Sequence, residues 1–335
     1  MRAVVLVGGF GTRLRPLTLT TPKQMLPVVH RPMIERVLTH LAAHGIDDAV
    51  LSMGYRPDAF TAAFPDDTCA GVRLRYAVDP EPLNTAGAVR FAALSAGLTE
   101  RFMVLNGDVL TDMDLGALVD LHQARGAEGT IALHRVEDPS AFGVVPTEHD
   151  GRVQAFVEKP PRHEAPTDLI NAGVYVLEPS VLQRIPSGRG VSIERETFPA
   201  MVADGCLYAM AAEAYWIDAG TPSQYLQAQL DLLDGTRGAV EVGISPGATV
   251  DPSAGVEAAV VADGATVAAG AQVQDSVVLA GAVVGFGALV RRSIVGPDAT
   301  VGGGARLEEL CVLGDGASVA PGETLRGVRR PDPTG

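Results

Sequence analysis

From Val277 to Val319 an aliphatic residue returns at every sixth position: Val277, Val283, Leu289, Val295, Val301, Leu307, Leu313 and Val319. Few folds accept that rule. A helix face repeats every 3.6 residues and a half-buried strand every two, so a period of six fits neither. It fits the coil of a parallel β-helix, where each short strand sends one aliphatic side chain into a stacked interior. A Val- and Gly-rich disordered tail is disfavoured, because disordered segments are poor in β-branched residues. An earlier series, Val261, Val267, Val273 and Leu279, overlaps it after a slip of two positions, which predicts a loop or irregular coil there.

Up to about residue 235 the pattern changes to alternating apolar runs and helical periodicity. AVVLV at 3–7 reads as a buried strand. Ile34, Val37, Leu38 and Leu41 form one helix face, which closes at Gly45. AVLSM at 49–53, VRLRYAV at 72–78 and FMVLN at 102–106 read as further strands, with a helix over 85–96 before the last. This alternation predicts an α/β fold with a doubly wound, mostly parallel Rossmann-like sheet. The expected layout is a domain over 1–235, a Gly-rich linker over 236–247 and the β-helix over 248–328.

A formal charge of −14 argues against general affinity for nucleic acid or anionic membranes. The three cysteines lie far apart without C-x-x-C spacing, so neither a disulfide framework nor a zinc ribbon is expected. No stretch approaches a membrane span, and the N-terminal apolar run is too short for a signal sequence, so a cytoplasmic protein is expected. Charge distribution is more informative than its sum. Residues 1–34 carry Arg2, Arg13, Arg15, Lys23 and Arg31, with no acid before Glu35. Of 26 cationic side chains two are lysine, Lys23 and Lys159, and both lie beside proline.

The stretch GGFGTRLRP follows the first strand, where ligands sit in such sheets. A dinucleotide fingerprint would place glycine where Leu14 stands, so that reading weakens. Gly8, Gly9 and Gly11 still allow backbone N–H groups to wrap a phosphate, and Arg13 and Arg15 add guanidinium forks. A plain glycine turn with solvated arginines is the alternative. Lys23, in TPKQMLPV, is a candidate second clamp on a triphosphate. Asp108 ends FMVLN in NGDVLTD, and Asp218 precedes a glycine in YWIDAGTP. Carboxylates so placed suit Mg²⁺, which takes one or two and leaves its other positions to water and phosphate, although a turn or helix-cap aspartate explains either one as well. Asn171, in INAGVYV, has an amide suited to sugar hydroxyls or to a structural turn.

Taken in order, GGFGTRLRPLTLTTPK, EPLNTAG, LNGDVL, FGVV, FVEKP, INAGVYVL, SIERETFP and YWIDAGTP resemble the sugar-1-phosphate nucleotidyltransferases, and among them the mannose-1-phosphate guanylyltransferases. The resemblance spans the whole chain. It implies that the β-helix is left-handed and that the reaction joins a nucleoside triphosphate, GTP foremost, to a sugar-1-phosphate, mannose-1-phosphate foremost, with Mg²⁺. It implies a nucleotide loop of Gly8, Gly9, Gly11, Thr12 and Arg13 with Lys23, a base loop carrying Glu81, Asn84 and Thr85, and metal ligands Asp108 and Asp218. Gly143, Glu158, Lys159, Asn171 and Gly173 would hold the sugar phosphate.

Asn84 stands where the family usually has glycine. It adds bulk and an amide, yet asparagine tolerates left-handed backbone better than most residues, so the loop shape can survive. KQMLP is closer to the thymidylyltransferase branch, which keeps dTTP, UTP or ATP with glucose-1-phosphate, or a pseudo-sugar of secondary metabolism, as alternatives. Two further rivals are an acyltransferase and a non-catalytic regulatory homologue. All seven histidines, His30 to His163, precede the repeats, which removes the base an acyltransferase would need in its coil. Intact Arg13, Lys23, Asp108 and Asp218 speak against a regulatory homologue. Self-association through the β-helix is expected.

Overall fold

The structure, a computed structural model, describes residues 1–54, 57–79 and 81–332. By contacts the chain forms two compact units: residues 1–9 with 34–216, and residues 10–33 with 217–335. The glycine-rich signature is therefore divided between them.

The first unit is built on a ten-stranded sheet. Arg2–Leu6 lies at its centre, parallel to Asp48–Met53 on one side and Phe102–Asn106 on the other, and Val72–Val78 continues the parallel set. The predicted strands are thus present within one residue at their ends. Asp48–Met53 is buried along its whole length, as a strand covered on both faces must be. Helix Met33–Ala43 buries Ile34, Val37, Leu38 and Leu41, and Gly45 turns the chain at φ +71°. Beyond Phe102–Asn106 the pairing becomes antiparallel through Leu169–Leu177, Gly143–Val144 and Val157–Glu158. Gly129–Arg135 also pairs antiparallel with Leu169–Leu177 and carries Leu207–Ala211 parallel on its other edge.

This topology fixes the site. The chain runs outward from the first strand through the second and third parallel strands, then returns to the opposite side of the first. The resulting switch point is bounded by the ends of Arg2–Leu6 and Phe102–Asn106, and ligands bind such sheets at that crevice. Gly107 N–H donates to Leu6 O at 2.9 Å, tying the two strand ends together.

In the second unit, residues 249–330 form three five-stranded parallel sheets, the arrangement of a parallel β-helix. Its stacking begins inside the expected linker, where Val261 N–H donates to Gly243 O and Ser245 N–H to Val261 O, each at 2.9 Å. It extends past residue 328 to the strand Arg329–Arg330.

The six-residue period holds, but its phase needs correction. The buried interior contains Val261, Val267, Val273, Val278, Val284, Val290, Val295, Val301, Leu307, Leu313 and Val319. Val277, Val283 and Leu289 are not in it, and Val283 is 38% exposed. The reason is coil length. Val260 pairs with Val277 and Val277 with Ile294, a spacing of 17, whereas Ile294 pairs with Val312, a spacing of 18. Each 17-residue coil advances the inward position by five once instead of six. A single two-residue slip was expected, and single-residue steps at 273–278 and 290–295 are found.

Candidate active site

Within the first unit the crevice is shaped by close backbone approaches. A Cβ on Gly8 would lie 3.2 Å from Gly54 N, so the loop leaving the first strand lies on the backbone that follows the second. Gly9 is exposed. Asp108 is buried at the end of Phe102–Asn106, one residue beyond the switch-point hydrogen bond.

The antiparallel edge carries Gly143 and the FVEKP segment. Gly143 pairs with Glu158, and a Cβ there would lie 2.5 Å from the Phe156 ring and 3.1 Å from Glu158 Oε2. Glycine is what lets the carboxylate lie over this strand. Lys159 follows at φ +50°, a left-handed conformation rare outside glycine, and Pro160 comes next. Such strain costs about 1–3 kcal/mol and persists where surrounding structure enforces it. Here Lys159 N–H donates to Phe142 O at 3.0 Å. The result is an ammonium 59% exposed, with Nζ 3.6 Å from Glu158 Oε1.

Asn171 serves a structural end as well. Its Oδ1 accepts from Gly173 N–H at 3.0 Å, and its Nδ2 donates to Tyr175 Oη at 2.9 Å, spanning an irregularity in the pairing with Gly129–Arg135. One donor and one acceptor of the amide are left for a ligand. Burial pushes the Tyr175 phenol far above its usual range, so it stays protonated. Gly173 has φ +73°, and a Cβ there would lie 2.5 Å from Asn106 Nδ2. Trp216 Nε1 donates to Ala172 O at 2.9 Å, and the ring stacks on His134. Asn106 and Trp216 flank this corner and were not singled out from sequence.

The EPLNTAG segment is held by the segment over 190–194. Asn84 sits at φ +55°, so the left-handed backbone that a glycine would favour is retained by asparagine, as expected. A Cβ on Gly190 would lie 2.8 Å from Asn84 Nδ2. Thr85 Oγ1 donates to Glu194 at 2.8 Å and accepts from Ile193 N–H at 2.8 Å. Its hydroxyl is thus engaged inside the protein. Glu81 is exposed.

Within the second unit, Gly11 turns at φ +61°, and a Cβ there would lie 2.9 Å from Thr18 Cγ2 and 3.2 Å from Lys23 Cβ. Thr18 Oγ1 donates to Gly11 O at 2.7 Å. Thr12–Leu14 forms one 3₁₀ turn with Leu14 buried beneath it, and Lys23 starts another after Pro22. Helix Pro222–Leu233, capped by Thr221, secures the end of this segment: Tyr225 and Gln229 both donate to Pro27 O, and Val29 N–H donates to Gln229. Just ahead of that helix, Asp218 Oδ1 accepts from Gly220 N–H at 2.9 Å, while Oδ2 lies 3.7 Å from Arg13 Nη2. Asp218 is 18% exposed and Arg13 60%. Gly220, the glycine that follows Asp218 in YWIDAGTP, is the one over which Arg13 reaches Asp218.

An α/β crevice at a switch point, a glycine-rich loop with an arginine, and a parallel β-helix together define a nucleotide-using transferase. Residues 2–235 match the family described as nucleotidyl transferase, and residues 239–329 match the GMPPB C-terminal domain. The chain belongs to the nucleotidyl transferase family, which sets aside the acyltransferase alternative.

It is 45% identical over 263 residues to a mannose-1-phosphate guanylyltransferase of Mycobacterium tuberculosis, covering 75% of this chain and 72% of that protein. It is also 45% identical over 230 residues to a mannose-1-phosphate guanyltransferase of Aspergillus fumigatus, covering 68% of this chain and 62% of the relative. Similar solved structures include HddC from Yersinia pseudotuberculosis complexed with GMP-PN, at TM-score 0.59 and 27% identity, covering 68% of this chain and 97% of that one. A putative glucose-1-phosphate thymidylyltransferase from Bacillus anthracis matches at TM-score 0.64 and 25% identity, over 72% and 97% of the two chains. Among the described residues no helix is long and apolar enough to cross a membrane.

Proposed function

We propose that this chain transfers the guanylyl group of GTP to mannose-1-phosphate, giving GDP-mannose and pyrophosphate. The sugar-phosphate oxygen attacks the α-phosphorus in line, the bond to the β-phosphate oxygen breaks, and no covalent protein intermediate forms. Catalysis is then a matter of positioning two anions and neutralising charge on the α and β oxygens. Gly8, Gly9, Gly11 and Thr12 offer backbone donors to the triphosphate, while Arg13 and Lys23 supply positive charge. Lys159 holds the attacking phosphate and Glu158 the sugar hydroxyls, with Gly143, Asn171 and Gly173 shaping that pocket. Glu81, Asn84 and Thr85 belong to the base loop.

Asp108 and Asp218 fit Mg²⁺ by donor type, since this ion takes one or two carboxylates and fills its sphere with phosphate and water. Bound there, it would add charge neutralisation at the α-phosphate.

The observation that carries the reaction is the strained Lys159, held at φ +50° beside Glu158 in one of only two lysine positions of the chain. The choice of GTP and mannose-1-phosphate is supported by the activities named for the 45% identical relatives. The test is a matrix of GTP, dTTP, UTP and ATP against mannose- and glucose-1-phosphate with Mg²⁺, read by pyrophosphate release. GTP with mannose-1-phosphate is expected to lead, and release that is greatest with another pair would reassign the substrates. We infer in addition that the protein works in the cytoplasm on small molecules and self-associates through its β-helix, where Phe286 is 72% exposed; light scattering after size exclusion tests the association.

A further inference from the structure

The second unit contains a contact that the proposed reaction has not used. Arg329, on the last β-helix strand, donates from Nη1 to Arg13 O at 3.0 Å and to Arg15 O at 3.3 Å. These two carbonyls lie on either side of Leu14, whose side chain is fully buried. One guanidinium and one buried leucine therefore both hold the short segment that carries Arg13.

The strand bearing Arg329 is itself well fixed. Gly314 N–H donates to Arg330 O at 2.7 Å, and Val312 N–H to Val328 O at 2.9 Å. Arg330 pairs with Glu323 at 2.7 Å and donates to Ser318 O at 2.9 Å. One coil earlier in sequence, Gly314 lies against the other end of the same segment: a Cβ there would sit 2.9 Å from Pro16 Cβ. The approach depends on glycine.

A side chain as exposed as Arg13 has many rotamers, and ordering it on ligand binding carries an entropic cost. A backbone fixed on both sides of Leu14 sets the direction in which that side chain leaves. We propose that the terminal β-helix coil is a positioning element for the nucleotide loop, and that Arg329 is a positioning residue that aims Arg13 at the triphosphate. This rests on the reaction proposed above, and it gives the β-helix a part in catalysis beyond assembly.

Four proteins test it: wild type, Arg329→Ala, Arg329→Lys, and Gly314→Ala, which disturbs the same segment through Pro16. KM and kcat are measured for each substrate, with Tm and the Kd of a non-hydrolysable GTP analogue by calorimetry. Losing a charge-assisted hydrogen-bond pair should raise KM for GTP and the analogue Kd about tenfold in Arg329→Ala. KM for mannose-1-phosphate should stay within about twofold, Arg329→Lys should fall between, and Gly314→Ala should move the same way. An unchanged analogue Kd in Arg329→Ala, or equal rises in both KM values, overturns the inference. Absence of pyrophosphate release by the wild type would count against the reaction, while the analogue Kd still decides the role of Arg329.

Discussion

Gly220→Ala would place a methyl carbon 2.6 Å from Arg13 Nη2 and 2.7 Å from Asp218 Oδ1, well inside contact distance. Arg13 is the group able to yield, because it is 60% exposed, whereas Asp218 is held by the loop backbone. The variant therefore swings the guanidinium away from its place over residue 220. The effect on stability is small. Unit charges 4 Å apart in water interact by about 1 kcal/mol, and exposed pairs contribute about 0.2–1 kcal/mol. Removing a glycine from the unfolded chain offsets about 0.4–1 kcal/mol of that. Tm should move by less than about 4 °C. The effect on turnover is large, because a charged donor misplaced from the transferring phosphate costs about 10²–10³ in rate. Pyrophosphate release alongside a thermal melt measures both. A variant within threefold of wild-type rate would refute the role given to the Arg13–Asp218 arrangement, and a Tm drop of more than about 10 °C would show that Gly220 is structural instead.

Three further outcomes are expected. Asp108→Asn should lose turnover by more than about 10²-fold and keep its far-UV spectrum and Tm; near wild-type turnover would remove Asp108 from the metal site. Lys159→Gly should relieve the left-handed strain, leaving the protein as stable or up to about 1 kcal/mol more stable, yet raise KM for the sugar phosphate, so a loss of stability would contradict the strain argument. Hydrogen bonds from Arg184 hold the Glu128 carboxyl down from 4.5 to about 2. A depressed carboxyl stabilises the fold above its unfolded pKa and loses that contribution as pH falls through its folded one. Stability should therefore fall from pH 4.5 toward 2, and Glu128→Gln should flatten that slope in acid-denaturation curves.

Local patterns announced themselves in the sequence. Strand ends, the first helix face and the six-residue period all arise from burial of neighbours close in the chain. The β-helix phase was obscured by aliphatic doublets: Val277–Val278, Val283–Val284 and Leu289–Val290 place an apolar residue at both the inward position and the one before it. A period carried back from Val295 therefore meets valine or leucine in the wrong phase. Asn84 was legible because its left-handed tolerance is intrinsic to the residue. The approach of Arg13 to Gly220, the Thr85–Glu194 bond and Arg329 were not, since each acts across a distant sequence separation with no periodic signal. Asn171 read as a sugar ligand or a structural turn residue, and the structure gives it the task of spanning the strand irregularity beside Gly173.

The central claim is attack at the α-phosphorus of GTP, and following each phosphate tests it most directly. With GTP labelled at the α or the γ position and mannose-1-phosphate present, the account predicts the α label in GDP-mannose and the γ label in pyrophosphate, in equal amounts. A γ label on the sugar phosphate, as a kinase would leave it, or labelled GTP consumed without a sugar nucleotide, would contradict it.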